Sequence, residues 1–156
     1  MAGVSPATDA LLDDLAAREL IVDTTPVGEL WSHLRNGTRS IYIGFDPTAD
    51  SLHVGNLLGL TLLRRAQLGG HRPIVLVGGG TGLIGDPSGK SEERVLETVD
   101  TVRMRGLAMQ KQIEKFLGAE EGPAPKFVNN IDWLGEFKLL EFLRDIGKHF
   151  SVNEMI

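Results

Sequence analysis

The chain of 156 residues contains no cysteine, which excludes disulfides and thiolate chemistry and suits a reducing compartment. No apolar run approaches the ~18 residues that a membrane-spanning helix requires. The N-terminus lacks the basic and apolar regions of a secretory signal peptide. These absences predict a cytoplasmic protein that has no membrane partner.

Positive charge is also scarce, since 16 Lys and Arg stand against 21 Asp and Glu and the net charge is −5. Nucleic-acid binding needs basic residues clustered at the phosphates. Here they are scattered, with small groups at Arg64-Arg65 and between Arg103 and Lys115, which argues against an autonomous nucleic-acid-binding protein. No spacing of His and acidic residues matches a metal site, and no Gly-x-Ser-x-Gly nucleophile elbow occurs.

Hydrophobic periodicity predicts strands that alternate with helices. The predicted strands cover 40–45, 73–77 and 126–129, and the predicted helices cover 8–20, 26–36, 52–68, 92–117 and 136–146. This alternation predicts parallel pairing through right-handed crossovers, and therefore an α/β fold with a doubly wound parallel sheet. We divide the chain into an N-terminal helical segment, 1–39, and part of a nucleotide-binding domain, 40–156.

The first loop that follows a strand carries the strongest functional pattern. The strand ends near Gly44, Pro47 and Thr48 form a turn, and His53 opens the next helix. A helix N-terminus presents unpaired N–H groups that suit an anionic phosphate, and a histidine there can donate a further hydrogen bond. A single histidine at this place would equally be a polar surface residue in a capping turn.

A second loop, 78–89, follows the next predicted strand and should lie at the same edge of the sheet. Its Gly-x-Gly-x-x-Gly pattern at 80–85 matches a dinucleotide fingerprint, but Asp86-Pro87 breaks the chain where that fingerprint needs a helix. Gly89-Lys90-Ser91 resembles the end of a phosphate-binding P-loop, but the required earlier glycine is Ile84.

Two strings together resemble a known family. His-Val-Gly-Asn at 53–56 resembles the His-Ile-Gly-His signature of class I aminoacyl-tRNA synthetases. The Tyr-x-Gly-Phe-Asp-Pro-Thr-Ala-Asp-Ser-Leu-His lead-in at 42–53 and Gly-Asp-Pro-Ser-Gly-Lys at 85–90 are similar to bacterial tyrosyl-tRNA synthetases. The resemblance runs from about residue 11 to 156. It implies a Rossmann-like domain that activates L-tyrosine with ATP and transfers it to tRNA(Tyr).

The family continues beyond the part that this chain resembles, with further nucleotide-binding fold, a Lys-Met-Ser-Lys-Ser-type loop and a tRNA-binding region. The resemblance therefore implies an incomplete domain, the N-terminal part of a longer enzyme, with little or no ligase activity alone. It implies that tRNA contacts come mainly from the other regions. It also implies Mg²⁺ bound with ATP, no protein-held metal, no organic prosthetic group and a homodimer.

The resemblance assigns catalytic roles to four residues. Thr48 and His53 would contact the phosphates, and Lys90 and Arg94 would stabilise the leaving pyrophosphate when their loop closes. From the residues alone, Lys90 and Arg94 read equally well as a solvated charged surface.

Further residues are assigned to the two substrates. The nucleotide would be held by Gly44, Asp46, Pro47, Gly55 and Asn56. Tyr42 would contact the phenol of the substrate, Leu76 would line the same pocket, and Asp86 would receive the α-ammonium group through a charge-assisted hydrogen bond. The alternatives are a half-buried strand aromatic for Tyr42 and a turn-capping carboxylate for Asp86.

Two other functions stay open from the sequence. Tryptophanyl-tRNA synthetase shares the helix-start signature, although Tyr42 and the string at 85–90 favour tyrosine. A non-catalytic nucleotide-binding or interaction protein on the same fold is the other alternative. The segment 133–153 resembles the region where family subunits meet, and its apolar side chains could equally form core within the chain.

Overall fold

A parallel sheet of three short strands lies at the centre of the fold. The structure, a computed structural model, describes residues 6–21, 24, 26–85, 97–118, 121–151 and 153. The strands are β1 (Ser40–Phe45), β2 (Arg72–Val77) and β3 (Lys126–Asn129), in the order β1-β2-β3. Both strand pairs are parallel, so the predicted α/β fold with a parallel sheet is confirmed.

Helices connect and flank these strands. They are α1 (Pro6–Ala17), α2 (Val27–Arg35), α3 (Val54–Leu68), α4 (Gly79–Ile84), α5 (Val99–Leu117), α6 (Ile131–Leu134), α7 (Leu139–Asp145) and a 3-10 helix (Gly147–His149). α3 connects β1 to β2, and α5 lies between β2 and β3 in the chain, as parallel pairing requires. In the ranges that the structure describes, no helix is long and apolar enough to cross a bilayer.

Two helix predictions are wrong in their starting points. The helix predicted from residue 92 begins at Val99, because Thr98 caps it and its Oγ1 accepts a hydrogen bond of 3.2 Å from Thr101 N–H. Residues 86–96 lie outside the described part of the chain.

The other misplaced start belongs to the helix predicted over 136–146. This helix begins at Leu139, and the separate turn α6 precedes it. The N–H of Phe137 donates to the carbonyl of Leu134, which closes a turn between α6 and α7 instead of continuing one helix.

The core lies between one face of the sheet and the helices α3 and α5. It joins Phe45 and Val75 of the strands to buried helix side chains, namely Leu60, Leu63, Met109, Ile113 and Leu117. Side chains alternate across a strand, so Tyr42 and Gly44 lie on the opposite face from Phe45. Gly44 pairs with Leu76 in the register. This second face carries the residues predicted for the amino-acid pocket.

The helix α1 packs against the C-terminal part of α3, and α2 contacts α1 through the Arg35–Asp9 ion pair. Thr8 Oγ1 donates a hydrogen bond of 3.0 Å to the carbonyl of Gly69, and Asp14 forms an ion pair with Arg65. The fully buried Leu12 adds apolar contact. The division of the chain between residues 39 and 40 stays a prediction.

A buried histidine, His71, lies at the opposite end of the sheet from the two loops. Its side chain is 1% exposed, and its Nδ1 accepts a hydrogen bond of 3.2 Å from Arg39 N–H. Nε2 is buried without a hydrogen-bond partner among the described residues. Burial, and then the positive charges of Arg39 and His33, lower the pKa of His71 below its usual value.

We expect His71 to make the stability of the fold dependent on pH. Its pKa is lower in the folded chain than in the unfolded chain, so protonation favours unfolding. The free energy of unfolding should fall as the pH drops below about 6.5 and level off below the folded pKa. Urea unfolding between about pH 8 and pH 5 measures this.

The variant His71→Asn provides the control, because an asparagine oxygen can still accept from Arg39 N–H but does not titrate. Its stability should vary less over the same pH range than that of the unmodified chain. Identical pH profiles for the two proteins would contradict the assignment.

Candidate active site

The two loops that follow β1 and β2 meet at the carboxyl edge of the sheet, as the sequence predicts. Backbone hydrogen bonds extend the sheet past the strand ends, because Gly78 N–H donates to the Phe45 carbonyl and Asn130 N–H donates to the Val77 carbonyl. The ends of all three strands therefore stand side by side, which is where open α/β sheets bind ligands.

A polar cluster of Asp46, Thr81 and Asn130 joins these three strand ends. Thr81 Oγ1 donates a hydrogen bond of 2.6 Å to Asp46 Oδ1, and Asn130 Nδ2 donates one of 3.1 Å to Thr81 Oγ1. Asn130 is buried and Asp46 is exposed. A cleft of about 230 Å³ opens beside the cluster and is lined by Asp46, Thr81, Ile84 and Gly85.

The helix α4 begins at this cluster, where the sequence predicts only a loop. Asn129 Oδ1 accepts from Gly79 N–H at 3.1 Å, and Asn130 Oδ1 accepts from Gly80 N–H at 2.7 Å. These two asparagines cap α4 from β3, some 50 residues along the chain. The prediction of a continuous loop over 78–89 is therefore wrong, because tertiary contacts outweigh the poor helix propensity of glycine.

The glycines at the start of α4 are required by packing. A Cβ atom on Gly78 would lie 1.8 Å from Asp46 Oδ1, and one on Gly79 would lie 2.3 Å from Asn129 Oδ1. Asparagine side chains already occupy the first N–H groups of α4 that a dinucleotide phosphate would use. Gly78 and Gly79 thus serve packing, and the N–H groups of Gly79 and Gly80 are not free to bind a phosphate.

His53 is the N-cap of α3 and uses one ring nitrogen for the backbone. Its Nδ1 accepts a hydrogen bond of 3.1 Å from Gly55 N–H, and the backbone N–H of His53 donates to Asn56 Oδ1 at 3.0 Å. Since Nδ1 accepts, the proton of the neutral ring lies on Nε2. The exposed ring can therefore cap the helix through Nδ1 and donate to an anion through Nε2.

The missing side chain at Gly55 leaves room for the His53 imidazole in that position. A Cβ atom on Gly55 would lie 3.0 Å from both Cε1 and Nδ1 of His53, which is tighter than ordinary contact. Asn56 uses its side-chain Oδ1 in the cap, so its amide nitrogen is the atom that would serve as a donor to a ligand. The nucleotide-binding roles of Gly55 and Asn56 stay predictions.

The turn between β1 and α3 places the remaining predicted nucleotide residues beside His53 along the chain. Thr48 is exposed, and its N–H donates to the Asp46 carbonyl at 2.9 Å. Pro47 is buried against Gly82 of α4, where a Cβ would approach it to 3.3 Å. Among the described residues, a Cβ on Gly44 would meet only Leu76, at 3.8 Å.

The predicted amino-acid pocket is only partly formed by the described residues. Tyr42 and Leu76 lie on the same face of β1 and β2, but Tyr42 is 67% exposed. β1 forms one edge of the described sheet. The predicted pocket residue Asp86 and the predicted catalytic residues Lys90 and Arg94 lie outside the described residues.

Sequence reasoning missed Thr81, Asn129 and Asn130. A signal was available, because Asn129 ends a strand and Asn130 follows it, at the edge where parallel sheets place their ligand-binding residues. The partner of each asparagine could not be found from the sequence, since the contacts join positions about fifty residues apart.

The sequence was compared with known families. Residues 34–156 match the family model described as tRNA synthetases class I (W and Y). The chain belongs to this family. The predicted resemblance to tyrosyl-tRNA synthetases is confirmed, and the family binds ATP as a substrate.

Individual relatives point the same way. The chain is 52% identical over 151 residues to a tyrosine–tRNA ligase of Aliivibrio salmonicida, covering 96% of this chain and 35% of that protein. It is 53% identical over 147 residues to a tyrosine–tRNA ligase of Chromobacterium violaceum, covering 94% of this chain and 35% of that protein. The chain thus spans about a third of the length of these curated relatives.

A solved structure shows the same fold. The structure of a C-terminally truncated mitochondrial tyrosyl-tRNA synthetase from Coccidioides posadasii matches with a TM-score of 0.71 and 26% identity. The match covers 93% of this chain and 42% of that one. The Rossmann-like architecture of the synthetase family is therefore the architecture of this chain.

We expect Gly55→Ala to displace the His53 ring. The matched control is Gly28→Ala. Gly28 is also the second residue of its helix, and no described residue lies within 4 Å of its Cβ position. The control should raise the free energy of unfolding by about 0.5–1 kcal/mol. Gly55→Ala should lack this gain, because the lost cap at His53 offsets it by about 1 kcal/mol.

Nitrogen-15 NMR of the imidazole gives a second measurement. In the unmodified chain Nε2 should carry the proton, and Gly55→Ala should mix the two neutral forms of His53. Equal stabilisation by both alanines, with an unchanged His53 spectrum, would contradict the proposed contact.

Proposed function

We propose that the chain is the N-terminal part of the catalytic domain of a tyrosine–tRNA ligase. The ligase activates L-tyrosine with ATP to form tyrosyl-adenylate and pyrophosphate, and then transfers the tyrosyl group to tRNA(Tyr). One observation carries this proposal: His53 Nδ1 caps α3, which leaves Nε2 as a donor at the carboxyl edge of the sheet. Family membership supports the same reading.

The phosphates of ATP lie at the N-terminus of α3 in this proposal. The helix is 15 residues long, and the partial positive charge at its N-terminus favours an anion there. Since Gly55 N–H is already bonded to His53 Nδ1, side-chain donors make the direct contacts in this proposal. His53 Nε2 and the Thr48 hydroxyl donate to the phosphates. Lys90 and Arg94, which lie between α4 and α5 in the sequence, stabilise the leaving pyrophosphate in this proposal.

The reaction needs positioning and charge stabilisation more than covalent help from the protein. A carboxylate oxygen of tyrosine attacks the α-phosphorus in line, the bond to the bridging oxygen breaks, and pyrophosphate leaves. Mg²⁺ bound to the nucleotide would neutralise part of the negative charge of ATP and of the leaving pyrophosphate. Gly44, Asp46, Pro47, Gly55 and Asn56 hold the nucleotide around this point.

The substrate side chain lies on the face of β1 and β2 that carries Tyr42 and Leu76. The Tyr42 hydroxyl bonds to the substrate phenol, and Asp86 pairs with the α-ammonium group. Phenylalanine is rejected because it would leave a buried polar group unpaired. Since Tyr42 is 67% exposed, regions beyond the described residues complete the pocket wall.

Tyrosine is the favoured amino acid. The family includes tryptophan and tyrosine enzymes, but the relatives compared above are named as tyrosine–tRNA ligases. A non-catalytic protein on this fold is not favoured, because the His53 cap and the Gly55 contact are both intact.

The partners and setting follow from the same proposal. The net charge of −5 supports tRNA contacts made mainly by other regions of the ligase. The exposed apolar side chains of α7, including Leu139 and Leu140, support a homodimer in the full-length ligase. The absence of cysteine suits the cytoplasm.

Tyrosine-dependent exchange between ATP and pyrophosphate tests the proposal in the full-length ligase. We expect exchange with tyrosine and not with tryptophan, and little or none by the 156-residue chain alone. His53→Asn separates the two roles of the ring, since asparagine keeps a good cap but removes the Nε2 donor. It should lower kcat by about 10²-fold with little change in stability.

Two outcomes would overturn the proposal. One is exchange that depends on tryptophan, and the other is full activity of His53→Asn. Thermal unfolding of each variant provides the control for folding.

A further inference from the structure

Gln112 on α5 binds the main chain that leads into His53. Its Oε1 accepts a hydrogen bond of 3.2 Å from Leu52 N–H, and its Nε2 donates one of 3.1 Å to the Asp50 carbonyl. The Gln112 amide therefore bonds to one backbone donor and one backbone acceptor in the segment 50–52. Gln112 Nε2 also donates to the Ala108 carbonyl at 3.2 Å, which orients the side chain on its own helix.

A second side chain on the same face of α5 reaches the same segment. Arg105 lies two helical turns before Gln112, and its Nε is 3.6 Å from Asp50 Oδ1. Arg105 also pairs with Glu97 at 2.9 Å, at the residue just before the cap of α5. α5 therefore contacts the β1–α3 turn at two points, of which the Gln112 amide is the one that binds backbone.

The position of Leu52 gives these contacts a consequence for the site. Leu52 packs partly buried against the core cluster, and its N–H is held by Gln112. His53 follows immediately, so the direction in which its imidazole leaves the backbone depends on this anchor. Thr48 lies at the other side of the same turn.

We infer that Gln112 is a positioning residue for the ATP side of the proposed reaction. It holds the 50–52 backbone against α5 and thereby places His53 at the N-terminus of α3. This inference rests on the proposed function. It assigns no contact between Gln112 and a substrate, and the tyrosine face of β1 and β2 does not depend on it.

The test compares Gln112→Met with the matched control Gln110→Met in the full-length ligase. Methionine keeps length and helix propensity but removes the amide. Gln110 lies on the same helix, and the one partner of its amide in the described ranges is the exposed Glu114. Gln112→Met should raise the KM for ATP by about tenfold, the size of one or two lost hydrogen bonds, and leave the KM for tyrosine unchanged.

A second readout does not require activity. Amide hydrogen exchange in the chain should be faster at Leu52 in Gln112→Met than in the unmodified chain or in Gln110→Met. Gln112→Glu should restore part of the protection, because its carboxylate still accepts from Leu52 N–H.

The possible failures can be told apart. Absence of tyrosine-dependent exchange by the unmodified ligase would overturn the proposed function. Normal exchange in which Gln112→Met changes both KM values alike, or neither, would overturn this inference alone. Unchanged protection at Leu52 would overturn it as well.

Discussion

The hydrogen-bonded bridge from Asp46 through Thr81 to Asn130 is the interaction on which the site depends. Each of the three residues follows a different strand, and each hydrogen bond crosses from one strand end to the next. The bridge adds side-chain contacts to the backbone hydrogen bonds that continue past the strand ends. It links the β1–α3 turn, the helix α4 and the residue after β3 at one edge of the sheet.

The residues of the bridge also cap a helix and restrict which residue can occupy a neighbouring position. Asn129 at the end of β3 and Asn130 after it also cap α4, which lets three consecutive glycines start a helix. Any side chain on Gly78 would collide with Asp46, so the glycine is set by the same contact. The site is thus built from short polar side chains packed against bare backbone, a combination that leaves little freedom for substitution.

The helix α3 supplies the second constraint. Its N-terminus must be capped to be stable, yet it must also remain able to receive an anion. His53 meets both needs because its two ring nitrogens differ, Nδ1 accepting from Gly55 N–H and Nε2 carrying the proton. Gln112 holds the preceding backbone, so the ring is fixed from both sides.

The strands, their parallel pairing and the place of His53 at the start of a helix could be predicted from the sequence. Local patterns decide them, namely short apolar runs and a strand that passes through a turn into a helix. The existence of α4 could not be predicted, because its caps come from residues far away in the chain and glycine propensity points the other way. The predicted start of α5 is too early, because the helical periodicity of the sequence continues on the N-terminal side of Thr98. Only the Thr98 cap marks the boundary. The roles of Asp86, Lys90 and Arg94 still rest on the family resemblance.

A double-mutant cycle tests the bridge most directly. Asp46→Ala and Asn130→Ala are made singly and together, and the free energy of unfolding is measured by urea titration. Thr81 links the two residues, so we expect a coupling energy of at least about 0.5 kcal/mol that disappears when the cycle is repeated with Thr81→Val. Additive effects, or a coupling that survives Thr81→Val, would show that the bridge does not join the strand ends.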